Sequence, residues 1–492
     1  MSRWQDVASS RNQLKRDAVR GSVATFIAQA IKFVLNIGVT VVLAHLLLPE
    51  DFGVVAMVMI VVNFFALFKD AGFSMATVQQ KQVNHAQVSL LFWLNVVLGV
   101  VLGVVLYISA PLWVWLFHEQ RLGDVVHALA WVFLLGGLGV QHEALMRRSM
   151  DFKRLMWVDV LSLLLASMLA LLLAWEGWGY WAMVWMQVAA IGVRVGLVWV
   201  WSGWLPSWPV FKVGVRRMVA FGGSLTLANS VQYLARQSDQ VLLGWSAGTH
   251  ALGLYSTAMN MLMLPIRQVL APLTQVALVT LSRVQSNPDD FRRVYLLLLR
   301  WVGYASMPLM AVLVALAEPV VYVFLGAQWL AAVPIVRILA AAGWILAVNN
   351  TMGWIFTARG QGGRMLRWNM MMAPLWVLAF SCGLAWDAEG VAWGFLIVIY
   401  VSRYAHFRYT LHGSSIAVKD MMIALLWPAC LSVVLAVLAS LMAGIWVGYS
   451  EIVALGGTMM FLFLLCVLVV RFFVPIRKEV HEMWCLLQEV RR

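Results

Sequence analysis

Four cations stand inside stretches that are otherwise apolar: Lys32, Arg236, Arg267 and Arg337. A charged side chain at mid-bilayer depth costs about 2.5–3.5 kcal/mol on insertion scales, so each marks either a function or a dedicated partner. Around Lys32, the residues Ser22, Thr25, Gln29, Asn36 and Thr40 recur at steps of three and four and share one helical face. A similar face returns later as Ser224, Asn229, Gln232, Arg236, Asp239 and Gln240. Asn260, Arg267 and Gln275 follow with Pro265 and Pro272, which mark a helix able to bend; Arg337 and Asn349-Asn350 complete the set. Asp239 is the one clear acid among these groups, so a hydrated cavity built from them is net positive and its guest is an anion. Guanidinium groups take phosphate oxygens in pairs, and amides and hydroxyls suit sugar hydroxyls, which together describe a diphosphate that carries sugars. Two simpler roles compete: Arg236 and Asp239 neutralise each other as an i, i+3 pair, and Lys32 pairs with a neighbouring helix or snorkels to an interface.

Other polar groups carry less. Asp159 and Glu318 lie near span ends and read as interfacial, and Arg194 has no local polar partner beyond Gln187. His142-Glu143 lacks the second histidine of a zinc-binding helix, since Met146 occupies that position. Gly360, Gly362 and Gly363, between Arg359 and Arg364, read as a turn rather than a phosphate cradle, and Glu50-Asp51 as a charged turn ahead of the second helix. No catalytic constellation and no metal site emerge, and no cofactor is expected; Asp239 is the candidate for H+ or Na+ coupling.

The elements that must hold these side chains are membrane helices. The 492 residues are 63% hydrophobic and 12% charged, with mean hydropathy +0.85. Fourteen stretches of spanning length run from 22–46 to 450–474. Of the 35 Lys and Arg, all but six fall in the N-terminal segment, the C-terminal tail and alternate loops. Arg121 alone occupies the opposite loops, while Lys32, Arg194, Arg236, Arg267 and Arg337 lie within spans. This asymmetry is the positive-inside signature; it places both termini in the cytoplasm and accounts for the net charge of +13 without nucleic acid. The loops on the outer side are too short for a folded enzyme domain. Tryptophans such as Trp113, Trp175 and Trp208 sit at span ends as an interfacial belt, and the four cysteines read as packing residues.

The chain also repeats weakly at an offset near 200 residues. Phe52-Gly53-Val54 corresponds to Leu252-Gly253-Leu254, and Pro111, Gln120 and Leu122 to Pro319, Gln328 and Leu330. Six spans separate the partners, an even number, so the halves are parallel repeats related by an axis along the membrane normal. The expected fold is all-α and polytopic, with about fourteen helices in two six-helix lobes plus two accessory helices. Its divisions are a basic N-terminal segment at 1–20, an N-lobe at 21–210, a C-lobe at 211–412, accessory helices at 413–475 and a cytoplasmic tail at 476–492.

Several short motifs occur in a specific order: Arg20-Gly21, Leu43-Ala44-His45-Leu46-Leu47 with Pro49-Glu50-Asp51-Phe52-Gly53, Asp70-Ala71-Gly72-Phe73 and Phe92-Trp93-Leu94-Asn95. After them come Arg147-Arg148-Ser149-Met150-Asp151-Phe152, Asp239 to Gly244 with Leu252-Gly253-Leu254-Tyr255-Ser256, and Phe324-Leu325-Gly326-Ala327-Gln328-Trp329. The set resembles the polysaccharide transporter branch of the multidrug/oligosaccharidyl-lipid/polysaccharide exporter superfamily, over helices one to twelve. His45 departs from it, standing where arginine is usual. The resemblance implies two lobes around a central cavity in a bacterial inner membrane. It also implies a flippase for a polyprenyl-diphosphate-linked oligosaccharide of exopolysaccharide, capsule or O-antigen synthesis.

In that frame, Arg16 and Arg20 serve as the cytoplasmic entry. Lys32, Arg236, Arg267, Arg337, Gln29, Asn36, Asn229, Gln232 and Asn260 line the cavity. The partners are the lipid-linked substrate, membrane lipids and a polysaccharide polymerase. A drug or cation antiporter of the same superfamily is disfavoured by the excess of cations, and a membrane polymerase or glycosyltransferase by the short outer loops.

Overall fold

The computed structural model describes residues 11–69, 77, 84–209, 233, 236–445 and 450–472, with side chains from residue 29 onward apart from a few positions. The chain divides into two compact units, Met1–Gly253 and Leu254–Arg492. Every described regular element is helical. Ten helical segments are long and apolar enough to cross a membrane, or eleven with one bent helix counted. One of the ten, Gly362–Leu411, is itself two helices joined by a short 3-10 turn, with Asp387 at φ 52°.

In the first unit, α1 (Arg11–Leu46) is followed by α2 (Pro49–Ala66), α3 (His85–Phe117), α4 (Leu122–Arg148), α5 (Phe152–Trp175) and α6 (Trp181–Ser202). The described part of α1 extends ten residues ahead of Gly21 and takes in Lys15, Arg16 and Arg20, because nothing from Arg11 to Arg20 breaks a helix. The pairs α3–α4, α5–α6, α4–α6 and α1–α5 form the packed body of this unit. Helix α2 starts with Pro49 in its first turn, and the Asp51 carboxylate accepts both the Leu48 N–H (3.1 Å) and the Tyr180 N–H (3.2 Å). Asp51 is therefore a capping group, as the reading of Glu50-Asp51 as a charged turn requires.

Helix α7 (Ser238–Arg283) is helical except at Gly248, where φ is 78° and the ladder breaks. It bends by 48° between Gln268 and Leu273, the interval that contains Pro272. Its early part meets the start of α2. A Cβ on Gly53 would fall inside the Thr249 carbonyl, and a Cβ on Gly253 inside the Pro49 carbonyl. His250 and Glu50 approach within 3.9 Å beside them. Each of these contacts joins positions of the offset-200 repeat, so the repeat has a spatial counterpart as well as a sequence one.

The second unit continues with α8 (Pro288–Ala315), α9 (Ala317–Leu325), α10 (Val333–Asn350), α11 (Met352–Ala358), α12 (Gly362–Gly383), α13 (Asp387–Leu411), α14 (Val418–Ile445) and α15 (Glu451–Phe472). Its main packing pairs are α8–α14, α8–α10, α12–α13 and α10–α13. Arg292 forks onto Asp420 (2.9 and 2.6 Å), tying the first turns of α8 and α14. The glycine-rich turn between α11 and α12 is pinned as well. Arg359 donates to the Gly413 carbonyl, and Arg364 to the carbonyls of His412 (3.1 Å) and Tyr409 (2.6 Å) at the end of α13. Cys382 and Cys430 are exposed, which corrects the expectation that they pack: they sit on the outward apolar faces of α12 and α14.

Candidate functional site

The densest charge cluster of the first unit lies where α1, α4, α5 and α6 meet. Arg194 on α6 grips Glu143 on α4 side-on, with Nε to Oε1 at 2.5 Å and Nη2 to Oε2 at 3.0 Å. Its Nη1 donates to Asp159 Oδ1 on α5 at 2.6 Å, and the other oxygen of that carboxylate accepts from Lys32 Nζ on α1 at 3.0 Å. Arg147 approaches Glu143 from the rim at 3.5 Å. By helical rise, Glu143, Asp159 and Arg194 lie roughly 8, 10 and 12 Å from the helix ends at Arg148, Phe152 and Ser202, one common depth. The four core groups are each between 18% and 28% exposed. Two cations and two carboxylates sum to zero, and every group finds an opposite charge, as burial in a membrane domain demands.

This network changes the charge tally drawn from the sequence. Lys32 is neutralised by Asp159, so it is not a free cation in this conformation. Asp159 is a bridge between two cations rather than an interfacial group, and Arg194 has partners on two other helices. Those partners are 35 and 51 residues away, out of reach of any i, i+3 or i, i+4 search. The signal that could have found them is their shared depth from one set of span ends.

The remaining predicted residues divide by surroundings. Gln29 is exposed and Asn36 half-buried on α1. Arg236, just ahead of α7, and Arg267 and Asn260 on α7 are exposed, and neither arginine has an ion-pair partner among the described residues. The i, i+3 pair of Arg236 with Asp239 is therefore not formed. Asp239 is buried at the start of α7, where its carboxylate accepts the Gln240 N–H at 2.8 Å. Arg337 stands one turn into α10, half-exposed and 3.6 Å from Glu318, a loose pair of the surface type. Asn229 and Gln232 lie outside the described residues, as do the side chains of Arg16 and Arg20.

The second unit holds a cation of the opposite kind. Arg403 on α13 is 8% exposed, and its Nε and Nη1 have no hydrogen-bond partner. Only Nη2 is used, donating to the Ile399 carbonyl one turn back (3.1 Å), while the guanidinium lies over the Phe407 ring at 5.4 Å. No carboxylate pairs with it among the described residues. Arginine cannot shed its proton, so each unmade hydrogen bond here costs on the order of 1–3 kcal/mol. The loop-charge tally places Arg403 among the loop cations, whereas it lies roughly 12 Å inside the Leu411 end of its helix.

Comparison with known proteins fits this architecture. Residues 42–334 match the family described as "Polysaccharide biosynthesis protein". The teichuronic acid biosynthesis protein TuaB of Bacillus subtilis (strain 168) is 26% identical over 354 residues, 69% of this chain and 71% of its own length. The lipopolysaccharide biosynthesis protein WzxC of Escherichia coli (strain K12) is 22% identical over 394 residues, 78% of this chain and 79% of its own. Among solved structures, the lipid II flippase MurJ in an inward closed conformation superposes with a TM-score of 0.71 at 13% identity, covering 93% of this chain and all of that one. An inward-facing multidrug resistance transporter of the MOP superfamily gives 0.61 at 15% identity over 84% of this chain and 98% of its own. With more than half of its length matched, its helices arranged as in these transporters and its charges set inside them, the chain belongs to the polysaccharide biosynthesis protein family.

Proposed function

We propose that the chain is a flippase. It moves a polyprenyl-diphosphate-linked oligosaccharide repeat unit from the cytoplasmic to the periplasmic leaflet of a bacterial inner membrane by alternating access. The product feeds exopolysaccharide, capsule or O-antigen assembly, where a polysaccharide polymerase is the expected partner. Both termini lie in the cytoplasm in this reading, as the loop charges favour. Family membership and the biosynthetic roles in the relatives' names support the substrate class.

The observation that carries the proposal is the pair of exposed guanidinium groups, Arg236 and Arg267, that no described carboxylate neutralises. Each offers a diphosphate oxygen a charge-assisted hydrogen bond without first breaking an ion pair. Lys32 differs: a phosphate must compete with Asp159 for it, which makes it a group that engages the substrate in only part of the cycle. Arg16 and Arg20 collect the headgroup at the cytoplasmic mouth, and the amides of Gln29, Asn36 and Asn260 meet sugar hydroxyls. Asp239, buried at the start of α7, is the candidate for a coupling H+ or Na+ in this reading.

The test is deletion of the gene followed by mass spectrometry of the lipid-linked oligosaccharides that accumulate. Complementation with Arg236→Ala and Arg267→Ala at equal membrane abundance completes it. Accumulation of a sugar-bearing polyprenyl diphosphate, relieved by the native chain but not by either variant, is the expected result. Normal polymer output from both variants would remove these arginines from the mechanism, and the absence of any accumulating lipid would remove the substrate class.

A further inference from the structure

Tyr400, Arg403 and Phe407 fall at steps of three and four on α13, and His406 adjoins them. The same stretch of α13 faces α10, since the Tyr400 hydroxyl donates to the Ala341 carbonyl (3.0 Å) and His406 Nδ1 meets Asn349 Oδ1 (2.6 Å). Trp368 of α12 stacks on the His406 ring with centroids 4.6 Å apart and planes within 5°. Arg403 thus belongs to a polar seam within one unit, between helices that are otherwise apolar.

Within that seam, Arg403 alone carries a fixed charge with no counter-charge, and its one hydrogen bond is a makeshift. The Ile399 carbonyl is the ordinary acceptor of the helix ladder at this position, so Nη2 shares an oxygen that the helix itself uses. Three N–H donors, one on Nε and two on Nη1, remain unused. A buried cation left in this state calls for an explanation, and a ligand that supplies the missing charge is one. The contrast with the first unit sharpens the point, because Lys32 and Arg194 are already matched by Asp159 and Glu143.

We propose that Arg403 is an anion site of the second unit that takes a phosphate group, with the side chain swinging off the Ile399 carbonyl so that Nε and Nη1 donate to phosphate oxygens. His406 and Asn349 border the site. The phosphate comes either from the headgroup of a membrane lipid or from free phosphate in the aqueous phase. The inference needs only the burial and charge of Arg403, and it stands or falls separately from the transport of an oligosaccharide.

The experiment uses the full-length protein with Arg403→Met and Arg403→Gln. Thermal unfolding is followed in detergent with inorganic phosphate, against sodium chloride at equal ionic strength, and in nanodiscs of phosphatidylglycerol against phosphatidylcholine. Phosphate or phosphatidylglycerol raises the midpoint of the native chain, and both variants lose that rise. A rise with inorganic phosphate identifies the free anion as sufficient; a rise confined to phosphatidylglycerol identifies a lipid headgroup. Without either anion, Arg403→Met melts at or above the native temperature, because the methionine removes an uncompensated charge from the interior. Equal anion responses in the native chain and both variants would overturn the proposal. So would variants that both melt well below the native chain in chloride, since the guanidinium would then be a structural strut.

Discussion

Arg194 holds Glu143 through two parallel hydrogen bonds of 2.5 and 3.0 Å, and in doing so it orients the nitrogen that reaches Asp159. A fork of this geometry fixes the plane of the guanidinium, which a lysine at the same position would not do. Asp159 is consequently held from one side by Arg194 and offers its second oxygen to Lys32. The two carboxylates share one rigid cation, and Lys32 is the member with a single partner.

This arrangement sets an order of damage. Arg194→Gln strips both acids of their main partner and lowers stability by about 2–4 kcal/mol. Lys32→Gln costs less, because Arg194 still covers Asp159. Asp159→Asn lies between, leaving Lys32 unpaired while Arg194 keeps Glu143. Thermal midpoints in detergent, read in parallel for the three variants, check the ranking; equal midpoints for Arg194→Gln and Lys32→Gln would show that the fork is not the organising contact.

Gly53→Ala and Gly253→Ala each drive a methyl group into main chain, at Thr249 and Pro49 respectively. Backbone cannot rotate away as a side chain does, so both variants are expected to lose folded protein, with a loss of several kcal/mol comparable to severe overpacking. Gly196→Ala on α6 is the control, since nothing lies within 4 Å of the added atom. There the change is neutral or gains about 0.5–1 kcal/mol from helix propensity. Membrane abundance and size-exclusion profiles distinguish the outcomes.

Asp51 and Glu50 are neighbours with different work. Asp51→Ala frees the N–H groups of Leu48 and Tyr180 and lowers stability by about 1–2 kcal/mol. Glu50→Ala removes a long, half-exposed approach to His250 and a weak attraction to Arg121, and changes stability by less than about 0.5 kcal/mol. Matching losses of polymer output from both variants at normal abundance would instead show that the two acids share a role beyond capping.

Outside the spans, Arg121 donates to both oxygens of Glu119, Nε at 2.9 Å and Nη2 at 2.8 Å. The hydrogen bond from Arg121 holds the Glu119 carboxyl below its usual value of 4.5. A depressed folded value means that the pair stabilises the native state above about pH 4.5 and that this contribution fades as pH falls through the lower folded value. The site is partly exposed, so the contribution stays within about 1 kcal/mol. Glu119→Gln should flatten this part of the acid limb of the melting profile; an unchanged acid limb would show that the fork is not formed in solution.

The membrane-spanning helices were legible in the sequence because hydrophobic length is a local, additive signal. The match of Gly53 with Gly253 has a steric counterpart, since at each position a Cβ would fall on main chain. Charge pairing was less legible. Lys32 was recognisable as deep, yet its partner Asp159 is 127 residues away and lies on another helix. Arg194 reads as isolated in sequence because its partners are 35 and 51 residues away, and the nearness of Arg403 to a basic helix end hides its depth. Sequence pattern reports depth well and neighbours across helices poorly, and the sign of a site depends on neighbours.

The reciprocal joint between the two glycines is made of main-chain atoms alone. Its closest approaches are to main-chain atoms, so it tolerates any drift of the surrounding side chains that adds no bulk at its centre. Side chains elsewhere can therefore change in a descendant of this chain while this seam keeps its form, because all it asks of positions 53 and 253 is the lack of a Cβ.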